Sequence, residues 1–185
     1  MDCDEGWADI NEQFNDGCET RLDTFSAACV SAHHVGEVID DHGDVIDVEG
    51  TIAPAGVVDW VRFGAVDNAH EVSGCDSFNL KIAFVDDLDG AVVMEVRRGG
   101  CHENRRQCGS TAVDEYDYYT DFLGIGPWGA EKRGECSCST DPRRPALPNV
   151  NRCSNNGAEF FVRIYRPDGQ ASSGSYRLRI SNGVF

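Results

Sequence analysis

The sequence has 185 residues, 41% of them hydrophobic and 26% charged, with a net charge of −16. That length suits one large domain, or one domain with an appendage, and buries about 70% of the unfolded chain's surface on folding. No run approaches the ~18 apolar residues of a membrane span, and a chain this acidic lacks the basic face that nucleic acid requires.

The charge is unevenly placed. Residues 1–50 hold fourteen Asp and Glu against one basic residue, Arg21, which leaves −13 there and −3 over the remaining 135 positions. Self-repulsion on that scale calls for salt, cations or a cationic partner. A solvated acidic surface is the plain reading and a cation site the functional one. Nine cysteines stand at 3, 18, 29, 75, 101, 108, 136, 138 and 153. None forms a paired CxxC zinc framework, and Cys136-Ser137-Cys138 has no second half. Their density predicts disulfides and an oxidising, extracellular compartment, and the odd count leaves at least one thiol free or paired between chains. Met1 runs at once into Asp2, Cys3 and Asp4, so the chain reads as a mature or trimmed form with no secretory leader in view.

In chain order, Cys3 and Cys18 bracket a loop of Asp, Asn and Gly whose large apolar groups are Trp7 and Phe14. So small a unit has no core of its own. A Cys3–Cys18 bridge is its natural staple, worth about 3 kcal/mol in the chain-entropy account. Asp9, Asn11, Asn15, Asp16 and Glu19 are hard oxygen donors of the kind calcium prefers, although their spacing is not that of an EF-hand. The same residues also build Asx turns. The series Cys3, Gly6, Trp7, Asp9, Asn11, Asp16, Gly17, Cys18, Glu19, Leu22 resembles a short cysteine motif found in secreted proteins of myxobacteria and their relatives. It departs at Ile10, where that motif carries a cysteine. The resemblance implies secretion, and the departure makes Cys29 the candidate orphan.

Residues 23–47 form an acidic connector. Positions 22–38 read as a short helix or an irregular segment. His33 and His34 diverge on either element, so surface histidines are the plain reading and a metal pair the functional one. Asp40, Asp41, Asp44, Asp47 and Glu49 follow closely. Positions 44–48 read as an edge strand whose charges discourage edge pairing. The same carboxylates, with no cation beside them in sequence, also read as a calcium site. Next, residues 50–66 open with a turn at Pro54, Ala55 and Gly56 and become an alternating strand. Val57, Asp59, Val61 and Phe63 share one face, and Val58, Trp60 and Arg62 the other. Asp59 and Trp60 invite a functional reading, yet they sit in a framework strand.

Residues 77–85, with Phe78, Leu80, Ile82 and Phe84 on one face, and residues 91–98, with Val92, Met94 and Val96 on one face, are expected to form a hairpin around an acidic turn. Cys101 and Cys108 bracket a loop and are expected to close a short bridge. Tyr116, Tyr118 and Tyr119 fall in a strand, as core or edge, with a carbohydrate platform as the binding alternative. Residues 124–156 are loop-like, and Cys136, Cys138 and Cys153, together with Cys75, are placed to staple them. A second hairpin is expected from residues 159–166 (Phe160, Val162 and Ile164 inward) and 175–181 (Tyr176, Leu178 and Ile180 inward).

Three strand motifs stand in order over residues 48–183. The first is Gly50, Ile52, Asp59, Trp60, Val61 and Phe63; the second is Gly157, Phe160, Phe161, Val162 and Ile164; the last is Tyr176, Leu178 and Ile180. Together they resemble the bacterial pre-peptidase C-terminal (PPC) domain family. Val61 stands where an aromatic is usual, and the cysteine-containing stretch 124–156 is a long insertion. The resemblance implies an all-β, jelly-roll-like antiparallel β-sandwich over residues 48–185. The disulfide-stapled motif at 1–22 and the connector at 23–47 would precede it. It implies a secreted domain that is not itself catalytic. Some such domains bind collagen or polysaccharide, and some use calcium in an acidic N-terminal edge segment, the place that residues 40–49 occupy here.

Neither G-x-S-x-G nor H-E-x-x-H occurs, and the five histidines are scattered. The expected function is therefore non-catalytic binding or adhesion to an extracellular polymer or protein, with calcium as a stabiliser. The alternative is a structural subunit of an extracellular filament or surface assembly that self-associates through its sheet edges.

Overall fold

The period-2 stripes of the sequence become strands in a computed structural model. It describes residues 3–10, 13, 15, 17–40, 42–68, 78–87, 90–107, 112–119, 136–138, 157–172 and 174–183. In chain order the strands are β1 (Trp7–Ala8), β2 (Thr20–Arg21), β3 (His33–Ile39), β4 (Val45–Thr51), β5 (Val58–Val66), β6 (Asn79–Asp87), β7 (Val93–Arg98), β8 (Glu115–Tyr119), β9 (Cys136–Cys138), β10 (Ala158–Tyr165) and β11 (Ser175–Asn182). The only helical turns among the described residues are two short 3₁₀ segments, Cys29–Ser31 and Glu103–Arg105.

β1 and β2 pair as a small N-terminal ribbon, and Cys3–Cys18 staples it as expected. The other strands form a four-stranded sheet, ordered β3-β5-β10-β7, and a five-stranded sheet, ordered β4-β11-β6-β8-β9. The inward residues of both sheets merge in one cluster. Val38, Val61, Phe63, Met94, Val96, Phe160, Val162 and Ile164 meet Val48, Leu80, Ile82, Tyr116, Tyr176, Leu178 and Ile180. This is the packing of a β-sandwich, in which two apolar faces interdigitate about 10 Å apart.

Neither expected hairpin forms. β6 pairs with β11 and β8, whereas β7 pairs with β10 across the core. Likewise β10 pairs with β5 and β7, and β11 with β4 and β6. Alternation says which face of a strand is buried and nothing about its neighbour. The five residues between β6 and β7 span at most ~18 Å, ample to arch from one sheet to the other. From β3 to β8 every connection crosses in this way, so the chain changes sheet at each step. That crossing is the jelly-roll habit.

Three further corrections concern local structure. Positions 33–39 are a strand, and β3 runs parallel to β5, so the sandwich is mixed rather than purely antiparallel. The register slips between His34 and Gly36, where Gly36 takes φ +130°. That bulge breaks the alternation that would have announced a strand. Positions 136–138 also form a strand, at the edge beyond β8. Finally, Cys29 is not an orphan. It bonds to Cys101, so the expected Cys101–Cys108 bridge does not form. Cys75, Cys108 and Cys153 lie outside the described residues, as do the side chains of Cys136 and Cys138.

The sandwich contains few buried polar groups, and those with recorded contacts are well used. Asn182 is fully buried. Its Oδ1 accepts from Asn79 N at 3.2 Å, and its Nδ2 donates to Val66 O at 3.0 Å and to Val38 O at 3.4 Å. One side chain thus ties the end of β11 to both sheets. On the outer face of the four-stranded sheet Arg97 stacks on Trp60, with its guanidinium 4.9 Å from the ring centroid, and pairs with buried Glu95. The Cys29–Cys101 bridge and Ala32 pack over Trp60 and Phe161 on that face. Closing a loop of 72 residues is worth about 4 kcal/mol by chain entropy.

Phe160 lies at zero exposure with its ring centroid 5.6 Å from that of Phe63. Truncation to Phe160→Ala is expected to cost about 3–5 kcal/mol. Urea unfolding would read this as a lower midpoint at unchanged m value.

Candidate functional site

The acidic run does not gather into one site. Asp40 is fully buried, and its two carboxylate oxygens accept from Asn68 N at 3.0 and 3.2 Å. Asp44 Oδ2 accepts from Ile39 N at 3.1 Å and lies 3.8 Å from His42 Nδ1, so it closes the β3–β4 turn. Asp47 makes a two-pronged ion pair with Arg179 of β11, 2.8 Å on each prong. Hydrogen bonding to that guanidinium holds the Asp47 carboxyl below its ordinary range. Glu49 is exposed on β4. Asp41, Asn11 and Asp16 lie outside the described residues, and Asp9 sits half-buried in the N-terminal ribbon with one carboxylate oxygen, Oδ1, unpartnered. Among the described residues no three of His, Cys, Asp and Glu converge as metal ligands.

His33 and His34 are exposed on β3, and His33 meets the Phe25 ring edge-on at 5.5 Å. Tyr116 is fully buried, Tyr118 is half-buried against the core with the Arg98 guanidinium 5.5 Å from its ring centroid, and the side chain of Tyr119 lies outside the described residues.

The cleft that stands out lies where the N-terminal segment meets the β4 edge. It encloses about 420 Å3 and is lined by Arg21, Leu22, Asp23, Thr24, Phe25, Glu49, Gly50, Thr51 and Ser175. Thr51 fastens the segment to β4. Its Oγ1 donates to Arg21 O at 3.0 Å, and its N–H donates to Asp23 Oδ2 at 2.6 Å. Asp23 Oδ1 accepts from Phe25 N at 3.0 Å, an Asx turn that points Phe25 at the core.

Beneath this cleft lies a second carboxyl. Asp59, inward on β5 and 1% exposed, accepts from Tyr176 Oη at 2.8 Å through Oδ2, while its Oδ1 is buried without a hydrogen-bond partner. The carboxyl of Asp23 lies close by: its Oδ2 and the Tyr176 Oη that reaches Asp59 both stand within 3 Å of the point a Gly50 Cβ would occupy. Gly50 makes this possible, because a Cβ there would collide with Tyr176 Oη and Asp23 Oδ2. Burial, reinforced by the negative charge of Asp23, pushes the Asp59 carboxyl up to about 7. Burial and the nearby Asp59 push the Tyr176 phenol well above its ordinary range, so it serves as a neutral donor. Sequence reasoning placed Asp59 in a framework strand and missed Asp23, whose only local signal is the Asx-turn dipeptide Asp23-Thr24.

No known protein family matches the chain, and no curated protein matches it. Among the described residues no helix is long and apolar enough to cross a membrane.

The titrations have opposite signs. Asp59 is raised, so its proton favours the folded state fully below about pH 4, and that contribution disappears as pH rises through about 7. Asp47 and Asp168 are lowered, the latter to about 2 by Arg166 and Gln170 N, so their contributions hold above about pH 4 and fade in stronger acid. Stability is therefore expected to peak near pH 4–5 and to fall by about 3 kcal/mol by pH 7 from the Asp59 share. Asp59→Asn, which keeps an acceptor for Tyr176, is expected to remove that upper limb in denaturant unfolding followed against pH.

Proposed function

We propose that this chain is a non-catalytic binding module of the extracellular space that takes a segment of polymer or protein into the cleft beside β4. The cleft carries the reading. Its volume lies within the range of ligand sites, and the apolar Leu22 and Phe25 sit among the polar groups of Arg21, Glu49, Thr51 and Ser175. Two disulfides support an oxidising compartment. The resemblance to PPC domains draws support from the cores of its three motifs, residues 59–63, 160–164 and 176–180, which fall on strands β5, β10 and β11.

A pull-down against collagen, chitin, cellulose and anionic polysaccharides, run with calcium present, tests the reading. Retention on one matrix is expected, and the double variant Arg21→Ala/Glu49→Ala is expected to weaken it at least tenfold. No retention on any matrix, or equal retention of the variant, overturns it. Calcium belongs to the same proposal as a stabiliser. Its support is the density of carboxylates in residues 1–50. Added calcium at about a hundred times its dissociation constant is expected to stabilise by about 2.7 kcal/mol, and EDTA to reverse this. A melting curve insensitive to both removes calcium from the proposal.

A further inference from the structure

The carboxyl pair under the cleft joins two parts of the molecule with different attachments. Asp59 belongs to β5, in the middle of the four-stranded sheet. Asp23 belongs to the segment that continues from the stapled ribbon, where Leu22 N donates to Gly6 O at 2.8 Å. Both oxygens of Asp23 are already acceptors, toward Thr51 N and Phe25 N. Asp59 has one oxygen engaged by Tyr176 Oη and the other buried without a partner. Two carboxyls gathered around the same phenol and Gly50, one of them sealed from water, cannot both carry charge without strong repulsion. A proton on Asp59 supplies the donor that this arrangement otherwise lacks.

We propose that the Asp23–Asp59 pair is a proton-operated latch: one proton held between the two carboxyls fastens the N-terminal segment to the sandwich, and its loss releases that segment. This inference does not rest on what the cleft binds. The latch closes in acid and opens as pH rises, because the released state leaves both carboxyls solvated and ionised. The groups around it do not reverse that sign. Tyr176 of β11 stays neutral. Glu49 of β4 adds negative charge on the cleft wall, and among the described residues lining it Arg21 is the one cation. Asp87 of β6, in register with Tyr176, accepts from Val92 N at 3.0 Å. Ile164 of β10, opposite Asp59, carries no charge. His33 of β3 touches Phe25 rather than the pair.

The test is hydrogen–deuterium exchange of the whole chain at pH 5 and pH 7, corrected for the intrinsic pH dependence of exchange. A release that sheds one proton grows about tenfold per pH unit in this window. The amides of Leu22, Phe25 and Thr51 are therefore expected to lose roughly fiftyfold protection between the two values, through an opening that low urea does not accelerate, while β10 and β11 exchange only through the rarer, urea-dependent global unfolding. Asp59→Asn, whose amide donates to Asp23 at every pH, is expected to keep the three amides protected at pH 7. Asp23→Asn provides the same neutralisation from the exposed side if the first variant does not fold. Unchanged protection of the three amides in the wild type overturns the proposal. So does an equal loss in a folded variant, and so does exchange of the three amides at the same rate and with the same urea dependence as β10 and β11, which would be global unfolding.

Discussion

The sandwich depends on one constraint: each core strand has a single apolar face, and the chain carries it across the core at nearly every turn. β3 to β8 alternate between sheets, so no strand in that run is hydrogen-bonded to its neighbour in sequence. Each stripe is buried only when the opposite sheet is present. Val61, Phe63, Phe160 and Ile164 on one side and Ile82, Leu178 and Ile180 on the other are all below 1% exposed. Neither layer is stable alone, because an open sheet with one apolar face in water gains too little to offset the ordering of its backbone. The contacts that hold the fold are accordingly long-range, which places it among slowly folding topologies.

Within that apolar frame the buried polar groups determine how the parts are joined. Asn182 satisfies three backbone groups from three other strands or their ends. Glu95 is buried between the guanidinium groups of Arg97 and Arg106. Asp59 differs from both, because one of its oxygens has no partner and its neighbour is another acid. Unsatisfied buried oxygens are costly, so this is the place where the interior departs from full internal consistency. It also lies directly under the cleft, at the seam between sandwich and N-terminal segment. A local inconsistency next to a cavity is where function is expected in an otherwise well-matched sequence.

Much of the framework was legible from residue order alone. The inward sets of β5, β6, β7, β10 and β11 follow from a period of two, and the structure buries them as that period dictates. The same period is silent about partners, which is why two supposed hairpins became arches over the core. β3 escaped notice because the bulge at Gly36 spoils its alternation. The edge character of β4 was visible in Asp47 and Glu49. Their partners, Arg179 and the cleft, were not, since cross-strand pairing joins positions far apart in the chain. The carboxyl pair is the extreme case. Asp23 and Asp59 have no common motif, and only the close approach permitted by Gly50 brings them together.

The bridge from Cys29 to Cys101 runs from the segment before β3 to the loop after β7, and those are the two edges of the four-stranded sheet. It therefore acts as a strap over Trp60 and Phe161 rather than as a loop staple. Its mechanical consequence is large. A pull on the two ends of the chain cannot draw out the 72-residue span between the bonded cysteines, which withholds about 240 Å of extensible length. Tension passes instead through one covalent bond, from the neighbourhood of β3 to the neighbourhood of β7. Five strands, β3 to β7, remain in a closed ring even when the flanking strands are peeled away.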